Sequence, residues 1–324
     1  MADKTFLVTG AMGCIGAWVL RHLLDRGQRV VASDLGTEPV RPRLLMSEDE
    51  LANIKWAQLD VTDTAAVSDL VARESVTHII HLAGLQIPFC KANPALGASV
   101  NVTGTINIFE AARAHGVKGL SYASSLGVLG PASDYDQWPL PDDALPNPGT
   151  LYGVYKVANE GTARVYAQDW GIGSVGLRPY TVYGVGRDQG LTADCAKAIL
   201  AAAAGRPFHI RFGGEIALQH ASDVAEIFLA SAEAETKDAY VLNLRGDVVS
   251  VEAYIQTLRS VVPDAAITCS DTPLPFPADL SDAGLQTLLG TVPATPLQKA
   301  ITADVMRYRA LLSENRIDLA QLDL

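Results

Sequence analysis

The stretch Thr9–Gly16, TGAMGCIG, decides the fold, with three glycines three residues apart at Gly10, Gly13 and Gly16. It follows an apolar run, KTFLVTG, that reads as a strand. It precedes a helix-patterned segment from about Cys14 to Arg26, which Gly27 is suited to end. Glycine permits a tight turn and lets backbone approach a ligand with no Cβ in the way. A helix starting at that turn offers unpaired N–H groups and the positive end of a dipole. Together they make a seat for a pyrophosphate, formed by Gly10, Met12, Gly13, Cys14, Ile15 and Gly16. Asp34 ends the next strand, RVVASD, 18 residues past Gly16. Its carboxylate is placed to accept hydrogen bonds from an adenosine ribose and would repel a 2′-phosphate. NAD is therefore expected rather than NADP. Arg41 and Arg43 would suit NADP, but beside Pro39 and Pro42 they read as an exposed loop. Asp60, with Val61 after it, reads either as an adenine-edge contact or as an N-cap or turn acid in LDVTD.

Outward from this loop, short apolar runs alternate with helix-patterned segments. IKWAQLD (Ile54–Asp60), THIIHLAG (Thr77–Gly84), KGLSYASS and GSVGLRPYTVYG each read as one strand. DTAAVSDLVARE, the long segment from Ala95 to His115 before Gly116, and Leu151–Trp170 read as helices. This alternation predicts parallel β-α-β units and a doubly wound, Rossmann-type α/β sheet with ligands at the carboxyl ends of its strands. The proline-rich run Trp138–Gly149 reads as a packed loop. After Gly184 the texture changes, so residues 1–184 are expected to bind the dinucleotide and carry the chemistry. Residues 185–324 form a smaller, mainly substrate-binding part. Its boundary is interleaved, because DAYVLNL could return to the large sheet.

The chain has 324 residues and a formal net charge of −11, with no basic stripe, which argues against a nucleic-acid footprint. Its four cysteines are scattered, so neither a metal-type pair nor a disulfide framework is expected. No basic-then-apolar leader opens it and no apolar run is long enough to span a bilayer, so a cytoplasmic protein with no membrane partner is expected. His78 and His81 flank two isoleucines in a strand and read as core histidines rather than metal ligands.

YGVYK places Tyr152 and Lys156 four apart, on one face of a helix. A tyrosine with its usual pKa of about 10 is a poor base at neutral pH, but a nearby ammonium favours the phenolate. Tyr152 would then take a proton from a substrate hydroxyl. Ser124 and Ser125, at the carboxyl end of a strand, are placed to hydrogen-bond the reacting oxygen. Tyr155 adjoins Lys156 and faces elsewhere.

In this order of parts the chain resembles the extended short-chain dehydrogenase/reductase family, which includes NAD-dependent sugar epimerases and dehydratases. The resemblance runs from about Lys4 to Glu233 through TGAMGCIG, HLAG, NVTGTINIFEAA, SSLGVLG, YGVYK and LRPYTVYG. It implies hydride transfer on NAD(P) with Ser125, Tyr152 and Lys156 as the triad, Ser125 matching better than Ser124. It also implies that Lys156 holds the nicotinamide ribose and that Leu82, Ala83, Gly84, Pro179 and Val182 flank the cofactor. The family commonly dimerises through its two long helices, here Ala95–His115 and Leu151–Trp170.

The chain departs from the nucleotide-sugar enzymes at Ile216, where they carry an arginine, and isoleucine cannot neutralise a diphosphate. Leu126 and Gly127 follow Ser125 where the dehydratases have an acidic pair. The expected substrate is a small polar, carbohydrate-like metabolite, with Gln86, Ser125, Leu126, Thr181 and Arg187 as pocket residues. Arg187 reads either as a substrate contact or as a structural loop arginine. The expected activity is an NAD-dependent oxidoreductase acting on a secondary alcohol. The alternatives are an NAD-dependent sugar or nucleotide-sugar epimerase and a non-catalytic dinucleotide sensor.

Overall fold

The computed structural model describes residues 4–322, so residues 1–3 and 323–324, at the ends of the two expected parts, lie outside the described residues. Its strands are β1 (Thr5–Thr9), β2 (Arg29–Asp34), β3 (Lys55–Gln58), β4 (His78–His81), β5 (Gly119–Ala123), β6 (Ser174–Arg178), β7 (Thr181–Tyr183), β8 (Phe208–Ile210), β9 (Glu215–His220), β10 (Ala239–Asn243), β11 (Asp247–Ser250) and β12 (Ile267–Cys269). Seven of them form one sheet in the order β3-β2-β1-β4-β5-β6-β10. Every pairing in it is parallel. The order reverses between β1 and β4, which opens a ligand crevice at the carboxyl edge, as in Rossmann-type sheets.

The alternation of side chains along the strands explains why the sheet is covered twice. Phe6, Val8, Val30, Ala32 and Ile80 pack on one face with Val19, Leu20 and Phe228 of the helices Cys14–Asp25 and Ala221–Glu233. Leu7, Val31 and Ile79 pack on the other with Val67 and Leu70 of Thr64–Arg73 and Ile108 and Phe109 of Gly104–His115. Each such large apolar side chain contributes about 1.5–3 kcal/mol when fully buried.

Three features differ from the sequence expectation. First, GSVGLRPYTVYG forms two strands, not one. Pro179 has no N–H for the ladder. The Tyr180 N–H leaves for the Gln219 side-chain oxygen at 2.9 Å, and β7 pairs with β9 in a second sheet of order β11-β9-β7. Second, the long helix after Asn93 is continuous but contains a π-helical turn, Ser99–Thr103, between Pro94–Ala98 and Gly104–His115. Gly104 packs so closely that a Cβ there would lie 2.7 Å from Val61 Cγ2. Third, Arg41 and Arg43 lie on a short helix, Val40–Leu45, rather than in a loop.

β10 does return to the large sheet, beside β6. The proline-rich loop packs against that edge: Leu140 is buried and bridges Leu280, and Asp142 Oδ1 accepts the Asn243 N–H at 2.6 Å. The two histidines of β4 are satisfied core residues. His81 meets Thr9 Oγ1 at 2.7 Å and Thr105 Oγ1 at 3.1 Å, and burial pulls its pKa down to about 3. His78 meets Thr77 and Glu235. Among the described residues no helix is long and apolar enough to cross a membrane.

Candidate active site

The crevice above β1 and β4 is a cleft of about 450 Å³. Its floor is the glycine loop. Gly10 has φ +67°, and a Cβ there would lie 2.7 Å from the Ala83 nitrogen. A Cβ on Gly16 would lie 2.3 Å from the Gly10 carbonyl oxygen. The loop is therefore closed to side chains from below, and its backbone is left open towards the cleft. Gly13 starts the helix without a side-chain cap, so the first N–H groups, at Cys14, Ile15 and Gly16, have no carbonyl one turn back. Asp34, at the end of β2, accepts the Met12 N–H on Oδ2 at 2.9 Å and the Leu35 N–H on Oδ1 at 2.8 Å. Met12, Asp60, Val61, Leu82, Ala83 and Gly84 line the same cleft. Asp60 Oδ1 accepts both the N–H and the hydroxyl of Thr62, so the turn role is real while the residue still borders the cleft.

A pocket of about 220 Å³ opens off this cleft and shares Ile15, Gly84, Gln86 and Arg187 with it. It contains Ser125, Tyr152 and Lys156, with Pro179 and Val182 in its wall. Thr150 caps the helix Leu151–Trp170 through the Gly153 N–H at 3.1 Å, which puts Tyr152 and Lys156 on its first turns facing β5. Lys156 Nζ lies 5.6 Å from the Tyr152 ring centroid and donates to the Ala123 carbonyl at 2.7 Å. Lys156 is 4% exposed, and burial lowers its pKa from 10.5 to about 8, against the opposing pull of Cys90 and Glu160. Burial raises the Tyr152 phenol above its usual pKa, opposed by hydrogen bonding with the Ser125 hydroxyl and by the charge of Arg187. The sequence reading gave that opposing role to Lys156. In the structure its ammonium lies 5.6 Å from the ring centroid while also donating to the Ala123 carbonyl, and Arg187 is a second cation near the phenol.

The two serines separate cleanly. Ser124 Oγ donates to Glu160 Oε1 at 2.5 Å, inside a buried network. There Arg178 grips both Glu160 oxygens at 2.9 Å and reaches Asn243 and the Asp142 carbonyl. Ser125 faces the pocket, its Oγ accepting the Gly127 N–H at 3.0 Å. Tyr155 is tied to the Pro94 carbonyl at 2.9 Å and leaves the chemistry to Tyr152.

Of the expected substrate residues, Gln86, Leu126 and Arg187 line the pocket. Thr181 does not: it is fully buried in β7 and its hydroxyl has no partner. Strand alternation sends Val182 towards the pocket and Thr181 away from it. Arg187 Nε is buried without a partner, and Nη2 reaches only Thr192 Oγ1 at 3.4 Å. Two further residues lie at the site: Asn101, which has no role there from sequence alone, and Arg41, which reads from sequence as part of an exposed loop. Asn101, in the π-helical turn, is fully buried with its Oδ1 unpartnered beside Gly84, close to Lys156 Nζ. Arg41 lines the cofactor cleft and pairs with Asp188 at 2.8 Å.

The NAD dependent epimerase/dehydratase family model matches residues 6–243. The chain belongs to that family. A UDP-glucose 4-epimerase of Mycolicibacterium smegmatis is 32% identical over 201 residues, 60% of this chain and 63% of that one. The mitochondrial L-threonine 3-dehydrogenase of Bos taurus is 26% identical over 280 residues, 84% of this chain and 72% of that one. A structure of MoeE5 in complex with UDP-glucose and NAD is 26% identical with a TM-score of 0.77, covering 95% of this chain and 100% of that one. Several of the curated relatives are matched over little more than half their length, for instance 54% and 58%. As a member of this NAD-dependent family the chain takes NAD, and the glycine loop, Asp34 and the flanking backbone fit that dinucleotide.

Proposed function

We propose that the protein is an NAD-dependent oxidoreductase that oxidises a secondary alcohol of a small polar, carbohydrate-like substrate. The observation that carries this reading is the pocket at Ser125, Tyr152 and Lys156. It opens directly onto the dinucleotide cleft, measures about 220 Å³ and has only Lys156 and Arg187 as basic lining residues. That volume is below the ~300–1,000 Å³ usual for larger ligands, which favours a small free metabolite over a diphosphate-linked one. Ile216, buried in β9, supplies no further cation.

Bound NAD supplies a hydride acceptor. The protein's own residues do the rest. Ser125 donates to the reacting oxygen and fixes it beside Tyr152. Tyr152 takes the hydroxyl proton as the carbonyl forms. Arg187 and the Ser125 hydroxyl stabilise the phenolate, and Lys156 holds the ribose side of the cleft. The unpartnered Arg187 Nε gives a carboxylate or vicinal hydroxyl of the substrate a place to bind. Epimerisation is the second reading, favoured by the UDP-glucose 4-epimerase relative. A homodimer through the two long helices belongs to the same proposal. Leu151, Val154 and Val165 form an exposed apolar face along one of them.

The test is a screen of sugars, sugar acids, polyols and hydroxy acids with added NAD, followed at 340 nm and by product chromatography. NADH release with a stoichiometric ketone supports the dehydrogenase. An isomerised product without NADH overturns it in favour of the epimerase. With an acidic substrate, Arg187→Met should raise KM about 10–100-fold, the loss of one charged hydrogen bond, and should lower kcat as well, because the Tyr152 phenolate loses a neighbouring cation.

A further inference from the structure

The short helix after β2 turns Arg41 into the cofactor cleft. Arg41 Nη1 donates to the Met12 carbonyl at 3.2 Å, while the Met12 N–H donates to Asp34 Oδ2 at 2.9 Å. One glycine-loop residue thus sits between a guanidinium and the carboxylate placed to receive the adenosine ribose. That guanidinium is already engaged. Its Nε and Nη2 both donate to Asp188 Oδ1, at 2.9 and 2.8 Å. Asp188 lies on the loop after β7, 147 residues away in sequence. The two side chains are only 23% and 26% exposed, so solvent and salt weaken the pair less than an open surface pair. Arg43, by contrast, points outward to Glu38 and Glu48.

We propose that Asp188 is a cofactor-specificity residue: by holding Arg41 it withholds a guanidinium beside Asp34 that would otherwise pair with a 2′-phosphate. A guanidinium is a strong bidentate phosphate ligand, so an uncommitted Arg41 would offset the repulsion exerted by Asp34. Discrimination then has two parts, a repelling carboxylate at β2 and the removal of an attracting cation by a loop from the other half of the chain. The inference rests on the NAD seat and not on which reaction the pocket performs.

Calorimetric titration with adenosine 5′-monophosphate and adenosine 2′,5′-bisphosphate tests it without turnover. In Asp188→Asn the affinity ratio should move towards the bisphosphate by about tenfold, or about 1.4 kcal/mol. The double variant Asp188→Asn/Arg41→Ala should return to the wild-type ratio, and Asp188→Glu should keep it. If the ion pair only pins the loop, both ligands weaken together in Asp188→Asn and the ratio stays put, which overturns the proposal. A gain that persists after Arg41 is removed overturns it equally.

Discussion

Lys156 shows what the site costs the fold. Its ammonium is buried against β5, with a pKa lowered from 10.5 to about 8. The folded state therefore holds this proton less tightly than the unfolded chain. Below pH 8 the charge is buried and the penalty is complete, about 3 kcal/mol. Between pH 8 and about 10.5 the folded protein releases the proton first, so stability rises with pH across that window. Lys156→Met should abolish activity yet raise the urea midpoint at pH 7, and the gain should shrink by pH 10. Equal midpoints for both proteins at pH 7 would show that the buried charge carries no penalty. That Ser125, Tyr152 and Lys156 share one pocket was legible in sequence, because Tyr152 and Lys156 need only helical spacing and Ser125 only the end of a strand. The choice of Ser125 over Ser124 was implied by the family resemblance, but its physical reason is Glu160, 36 residues from Ser124. Arg41 was misread because its partner, Asp188, belongs to a distant loop. Thr181 was misassigned because the break at Pro179 resets which side chains face the pocket.

Among the elements, the helix Leu297–Ser313 ties the second sheet to the short helix Val40–Leu45 of the N-terminal part. Asp304 meets His220 Nε2 at 3.3 Å, Tyr308 OH donates to the Gly184 carbonyl at 3.3 Å, and Arg307 donates to the Leu44 carbonyl at 2.7 Å. Burial pulls the His220 pKa down, but the hydrogen bond and charge of Asp304, with Asp223 behind it, push it above 6.5 overall. This stabilisation is fully present below pH 6.5 and is lost as pH rises through the higher folded-state pKa. Asp304→Ala should lower stability by about 3–5 kcal/mol at pH 6, because a buried partner is left uncompensated. The deficit should narrow by pH 9, read as the difference in Tm between the two proteins. The helix was not foreseen as a tie, since nothing in its own sequence names His220 as a neighbour. Likewise the separation of β7 from β6 was not legible, since three residues after Pro179 are too few for alternation to mark a new strand, and the π-helical turn at Ser99–Thr103 leaves no periodic mark. The long parallel strands were legible because apolar runs covered on both faces have few other uses.

At the scale of the molecule, the sheet order brings the glycine loop, Asp34 and Ser125 to one edge although they lie on three different strands' ends. The exposed face of Leu151, Val154 and Val165 lies on the helix that carries Tyr152, so pairing with a second copy would brace the site from outside. Sedimentation should give a dimer for the wild type and a monomer for Val154→Glu. A wild-type monomer at micromolar concentration would remove that part of the proposal. The central claim is that Tyr152 performs proton transfer in a site where NAD binds independently of it. The most direct measurement is a paired one on Tyr152→Phe: NAD affinity by titration, and reduced cofactor at 340 nm with the alcohol that the wild type accepts. The account predicts an affinity within about twofold of wild type and a rate lower by about 10²–10⁴-fold, the usual worth of a positioned general base. A variant that forms NADH at the wild-type rate would contradict it.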